Sequence, residues 1–268
     1  MLRAWTETDT FAFNGRFNQQ RYVNIWPRPI QKPHPPIWIP GGGSIETWRW
    51  CAEMDHVYAY LSYFGYQAGQ ATMDGFWAEM DRLAKDRNPY RAGFLQFVGV
   101  AENREEAYRL YREPAEYFYG RCLHVDARFA GPPGYTSEAT MRRGIQSQVA
   151  QAAAQAAAAP GLASRFAQLA REMDAIVDKG YVIIGSPDEV AEQLTEVATD
   201  LNVGHLMLLL QFGNMGKELA AYNTKLFAER VMPKLKGLFS EWEDRWWPQP
   251  MARAERAPVQ PPLLAAAE

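Results

Sequence analysis

The run Pro35-Pro36-Ile37-Trp38-Ile39-Pro40-Gly41-Gly42-Gly43-Ser44 carries the clearest chemical signal in this chain. A short apolar stretch enters three glycines and then a serine, ahead of a segment with helical spacing. Lacking a Cβ, glycine lets the backbone turn sharply and approach a ligand closely. Ser44 stands where a helix cap is needed, and the first-turn amides from Ile45 onward attract anions. Gly41, Gly42, Gly43 and Ser44 are therefore a candidate phosphate site, although the same residues also suit a tight strand-to-helix turn that binds nothing.

Weaker candidates follow two other apolar runs. Tyr60 and Ser62 close one that begins at His56, and Gln211 and Asn214 follow one that begins at His205. At strand ends these groups would line the rim of a ligand or substrate pocket, though an aromatic there also serves as packing. Gly213-Asn214-Met215-Gly216-Lys217 lacks the spacing and the Ser/Thr of a nucleotide-phosphate loop. His34, His56, His124 and His205 show no metal-ligand spacing, so structural or surface roles are expected and no metal site is read. Glu105-Glu106 and Glu241-Trp242-Glu243-Asp244 read as solvated helix charge rather than paired catalytic carboxylates. Trp48 and Trp50 are expected to pack the helix after the glycine loop.

The elements that must position these residues need a substantial core. With 268 residues, of which 47% are hydrophobic and 13% aromatic, the chain has enough apolar material for one large domain or two small ones. A net charge of -3 and the lack of a basic, aromatic-laced block exclude a general case for nucleic acid. The 2 cysteines form no CxxC pair, which suits a reducing cytoplasm. The first residues, Met1-Leu2-Arg3-Ala4-Trp5-Thr6-Glu7, lack the apolar run of a signal peptide, and no run reaches the roughly 18 apolar residues of a spanning helix, so neither secretion nor membrane insertion is expected.

Strand and helix patterns alternate along the chain. Residues 1–35 read as a hairpin around Asn14-Gly15 and a proline-rich connection. Strands are expected at 37–39, 56–61, 94–100 and 205–210, with helices near 45–54, 71–85, from 104, after the Ser186-Pro187-Asp188-Glu189 capping box, and over 217–239. A helical insertion is expected at about 114–179, containing Gly131-Pro132-Pro133-Gly134 and an alanine-rich run at 149–159. Residues 241–268 read as a disordered tail. The class is α/β with parallel βα units, either part of a barrel or an open doubly wound sheet.

Several segments resemble the luciferase-like flavin-dependent monooxygenases. They are Asn14-Gly15-Arg16-Phe17, the stretch from Pro27-Arg28-Pro29 through Pro35-Pro36-Ile37-Trp38-Ile39, Gly41-Gly42-Gly43-Ser44, Gly185-Ser186-Pro187-Asp188-Glu189-Val190-Ala191 and Leu209-Leu210-Gln211-Phe212-Gly213-Asn214-Met215. Their order over about 10–240 is that of the family's second half. The resemblance implies a partial TIM barrel, its C-terminal (βα) units occupying 36–240, with Gly41 to Ser44 as the loop against the phosphate of flavin mononucleotide (FMN). It implies reduced flavin and O2 oxygenating a small organic substrate, with a flavin reductase as a further partner. The family draws its catalytic histidine from its first four strands, which would lie before Met1, so no catalytic residue is assigned and the chain is expected to be truncated and inactive alone. A half-barrel leaves sheet edges open, so a homo-oligomer or pairing with the missing half-barrel is expected. The alternatives are a non-catalytic flavin-binding or interaction protein and a deazaflavin (F420)-dependent oxidoreductase.

Overall fold

Apolar runs that are continuous rather than alternating belong in strands covered on both faces, and such runs build the sheet here. The computed structural model describes residues 1–122, 137, 138, 142, 173–245 and 247–256. The expectations for 131–134, 149–159 and His124 lie outside the described residues. The chain opens with α1 (Leu2–Thr6) and an antiparallel hairpin of β1 (Phe11–Asn14) and β2 (Gln19–Val23). Its turn is the expected one, closed by Gly15 N–H donating to the Asn18 carbonyl at 2.9 Å.

Five parallel strands follow. β3 (Trp38–Gly41) leads into α2 (Ile45–Met54), β4 (Val57–Leu61) into α3 (Gly65–Arg82), and β5 (Ala92–Val100) into α4 (Arg104–Tyr117), which ends in a π-helical turn, Phe118–Cys122. After α5 (Met173–Asp178) come β6 (Val182–Gly185), α6 (Pro187–Asp200) and β7 (His205–Leu209). The last helices are α7 (Lys217–Leu226), a π-helical turn and α8 (Met232–Leu235). β3 pairs with β4, β4 with the first half of β5, and β5 with β7, while β6 pairs with the last residues of β5. Among the described residues β3 pairs only with β4 and β7 only with β5, so the sheet is an unclosed arc: the partial barrel.

The helix starts follow the local sequence. Asn103 accepts a hydrogen bond from Glu106 N–H at 2.9 Å, and Ser186 with Glu189 forms the full capping box. Three expectations are corrected. The run Val182-Ile183-Ile184 is a fifth strand, recruited because β5 outlasts β4 and leaves its end free to pair. The expected long helix over 217–239 breaks at Phe227–Val231 and restarts with Pro233 in its first turn. Finally, residues 243–245 and 247–251 do not fray. They strap the amino-terminal end of the strands.

One carboxylate makes most of the strap's bonds. Asp55, in the left-handed conformation that ends α2, is almost fully buried and bonds the Arg91 guanidinium. It also accepts from Arg245 at 2.9 Å and 3.0 Å and from Gln249 N–H at 2.7 Å. Asn88 donates to the Glu243 carbonyl at 2.8 Å, and Met251 N–H to the Glu53 carbonyl at 2.7 Å. Removing one member of a buried charge cluster strands its partners. Asp55→Ala is therefore expected to cost about 3 kcal/mol in urea unfolding and to expose 243–256 to limited proteolysis.

Candidate functional site

The carboxyl ends of β3, β4, β5 and β7 share one rim, because their registers place Gly41 beside Tyr60, Leu61 beside Leu95 and Phe97 beside Leu209. The glycine loop stands at one side of that rim. Each glycine there has a different reason. A Cβ on Gly41 would lie 2.7 Å from the Tyr58 ring, and Gly43 has φ 99°, whereas a Cβ on Gly42 would meet nothing within 4 Å. Gly41 and Gly43 therefore make the turn, and Gly42 leaves its backbone open to approach. Tyr58 fastens the loop by donating its hydroxyl to the Gly41 carbonyl at 3.1 Å. Burial pushes that phenol up to about 12, so it stays a donor at any ordinary pH.

Ser44 occupies the cap position of α2, but its side chain makes no capping bond. Its hydroxyl instead donates to the Glu46 carboxylate at 2.6 Å, which corrects the expected capping role. Glu46 also accepts from the Ser137 hydroxyl. An acidic group in the first turn answers the positive end of the helix dipole and would repel a second anion. Sequence reasoning passed over Glu46. Its signal was the Ser44-Ile45-Glu46 spacing, which lets a short carboxylate arm reach back to the serine.

The other rim candidates are placed unequally. Tyr60 turns toward the helix layer, where its ring lies 5.8 Å from Phe94 and 6.4 Å from Tyr58. Ser62 is buried and accepts from Phe64 N–H at 3.2 Å. Asn214 donates to Glu113 at 2.8 Å, beside Gly213, whose left-handed backbone abuts the Pro114 carbonyl. Gln211 is exposed at the end of β7. The structure thus brings Gly41 to Ser44 and Gln211 to the open rim, and ties Tyr60, Ser62 and Asn214 into the protein.

The histidines sit at the other end. His56 precedes β4 and packs edge-on to Trp50, and His205 opens β7 with its ring 4.6 Å from Trp38 and 5.3 Å from Tyr90. His34 is buried before β3. Trp48 is buried in the core, whereas Trp50 is exposed. Among the described residues no cluster of His, Cys, Asp or Glu could hold a metal, and no helix is long and apolar enough to cross a membrane.

The family described as luciferase-like monooxygenase matches residues 1–203. No curated protein matches the chain. Among solved structures it is similar to monooxygenase RslO1 from Streptomyces bottropensis (18% identity, TM-score 0.57, 87% of this chain and 57% of that one). It is also similar to the oxygenating constituent of 3,6-diketocamphane monooxygenase from Pseudomonas putida in complex with FMN (17%, 0.54, 84% and 59%). A third is the coenzyme F420-dependent tetrahydromethanopterin reductase from Methanopyrus kandleri (12%, 0.50, 82% and 57%). At these identities the likeness shows the fold, and the chain spans less than two thirds of each structure's length.

Two measurements check the site's local physics. Gly41→Ala is expected to destabilise by about 1–3 kcal/mol through its clash with Tyr58, while Gly42→Ala leaves the urea midpoint nearly unchanged. Burial lowers His56 and His205 below their ordinary 6.5, so the unfolded chain takes up their protons first. Stability is then expected to hold above about pH 6.5, to fall as pH drops from there toward the lowered folded values and to level off below them, with His205→Gln flattening the profile.

Proposed function

Because the chain belongs to the luciferase-like monooxygenases, we propose that it binds FMN through the loop Gly41 to Ser44 and forms part of a monooxygenase for a small organic substrate. The observation that carries this reading is the open backbone at Gly42, set at the carboxyl rim of a parallel sheet, directly before the amino terminus of α2. Ligands of such sheets bind beyond the carboxyl ends of the strands, and phosphates favour helix amino termini. Bound reduced flavin would supply the electrons by which one atom of O2 enters the substrate and the other leaves as water.

This chain's residues serve that chemistry by placement. Gly42 lets a phosphate come close, and Tyr58 keeps the loop from shifting by holding the Gly41 carbonyl. Ser44 can turn its hydroxyl from Glu46 to a phosphate oxygen, a move that trades one charge-assisted bond for another. Glu46 opposes the anion and so tempers affinity. The catalytic role stays unassigned.

The partners follow from the same reading. A flavin reductase would supply the reduced cofactor, and a second copy or a complementary half-barrel would pair with the edges of β3 and β7. Cys51 is buried and Cys122 exposed, neither in a disulfide, which supports a reducing cytoplasm. The likeness to an F420-dependent reductase at TM-score 0.50 supports a deazaflavin as the second choice of cofactor.

Titrating the full chain with FMN tests the reading. Binding is expected, and Gly42→Val, whose side chain enters open space, should weaken it about tenfold or more with no loss of stability. Glu46→Gln should strengthen it by removing a like charge. Tight binding of F420 without FMN would favour the deazaflavin oxidoreductase. FMN binding indifferent to both substitutions would remove the loop from the site, and FMN binding without turnover on supplying reductant and O2 would favour a non-catalytic flavin binder.

A further inference from the structure

The amino-terminal hairpin and the residues after it, 10–30, form an arm whose charge the rest of the chain does not use. Residues 10–45 hold Arg16, Arg21, Arg28 and Lys32 and no aspartate or glutamate, in a chain of net charge -3. A two-stranded hairpin alone is marginal in water and needs cover from another surface. In β1 and β2 only Phe11 and Val23 are partly covered. Phe17 is 91% exposed, Tyr22 83% and Trp26 74%. The guanidinium of Arg16 lies 5.0 Å from the Phe17 ring, and that of Arg28 lies 5.1 Å from the Trp26 ring. Arg28 also donates to the Thr8 carbonyl at 2.8 Å. Among the described residues no hydrogen bond, ion pair or ring contact joins residues 8–30 to any residue beyond 34, and none of the three arginines meets a carboxylate. Exposed tryptophan, tyrosine and arginine are the side chains that dominate protein interfaces.

The complementary surface is on the same chain. Glu105 and Tyr108 of α4 and Asp174 and Asp178 of α5 line an open groove of about 640 Å³. Arg104, which also lines it, lies 5.5 Å from the Tyr108 ring and reaches Glu189 at 3.5 Å. Glu105, Asp174 and Asp178 form no ion pair among the described residues, and Arg112, whose field reaches Asp174, is spent on Glu116 at 2.9 Å. Arginines without carboxylates at one place and carboxylates without cations at another are the two halves of one contact. A phosphate backbone would suit the arginines but not a chain of net negative charge.

We propose that the arm of one copy docks in the α4–α5 groove of a second copy of this chain, its arginines answering Glu105, Asp174 and Asp178 and its Tyr22 and Trp26 serving as the buried anchors. Exposed ion pairs contribute little each, so the rings supply the affinity while the charges fix partner and register. Arm and groove are different patches, which makes the contact heterologous. Every docked pair keeps one free arm and one free groove, and copies add head to tail unless the rotation between them closes a ring. This contact is separate from pairing at the edges of β3 and β7 and does not rest on the flavin reading.

Two variants that each keep one half of the contact test it. Arg16→Glu with Arg21→Glu reverses the arm and leaves the groove, and Glu105→Lys with Asp178→Lys reverses the groove and leaves the arm. All these side chains are exposed, so the urea midpoint of each variant should stay close to that of the unmodified chain. In sedimentation velocity at about 100 µM the unmodified chain is expected to self-associate, several-fold more weakly when salt rises from about 50 mM to about 500 mM. Each variant alone should associate at least about tenfold more weakly, while an equimolar mixture of the two forms a one-to-one dimer and nothing larger. An unmodified chain that stays monomeric overturns the inference, as does association that both variants keep, the result expected of pairing through the sheet edges. A mixture that fails to dimerise, or an oligothymidylate that binds the arm more tightly than a second copy does, overturns it equally.

Discussion

A strand inside a parallel sheet must satisfy two edges and two faces at once, and β5 is where this structure meets that demand. Its nine residues outrun every neighbour, so β4 and β6 divide its length while β7 pairs along its centre. On the β7 edge, past its last pairing at Phe97, side chains finish the work. Asn223, fully buried on α7, accepts from Val100 N–H at 2.8 Å and donates to the carbonyls of Val98 and Leu210 at 2.8 Å and 2.9 Å. Gln96 donates toward the carbonyls of Gly180 and Tyr181, tying the approach to β6 onto the same strand. Buried backbone groups left without such partners would each cost on the order of 1–3 kcal/mol. The rim inherits its rigidity from this strand.

The two ends of the sheet divide their labour accordingly. Charge and histidine gather at the strand starts, where Asp55, Arg91, Arg245, His56 and His205 are packed and mutually satisfied or desolvated. Glycine backbone and half-covered apolar groups gather at the strand ends. Polar groups at the first end stabilise the fold, and the second end keeps open surface for a ligand. This is the division expected of βα units that bind beyond their carboxyl edges.

Local signals were the ones legible in the sequence. The turn at Asn14-Gly15, the Asn103 cap and the Ser186–Glu189 box each involve residues a few positions apart, and each formed as read. α2 also has the expected bounds, because Gly43 and Ser44 end the turn and Asp55 ends the helix. What escaped the sequence depends on distant partners. Val182-Ile183-Ile184 becomes a strand because β5 is long enough to pair with it, and the C-terminal segment is held by Asp55, Asn88 and Glu53, partners more than 150 positions away. Ser44 illustrates the middle case: its position was readable, but a carboxylate two residues on outcompeted the backbone amide for its hydroxyl. The contact of Phe118 with Phe97 was hidden by a π-helical turn that no simple periodicity announces.

The strap across the strand starts has a kinetic meaning as well as a static one. Each βα unit can collapse on contacts a few tens of residues apart, whereas Arg245 and Asp55 are separated by 190 positions. Closing so long a loop is entropically late, so the sheet and its helices must hold together before that carboxylate finds its second guanidinium. During synthesis Asp55 leaves the ribosome long before Arg245, and in that interval Arg91 is its partner on hand. The final ion pair therefore acts as a latch, set only after most of the chain has been made.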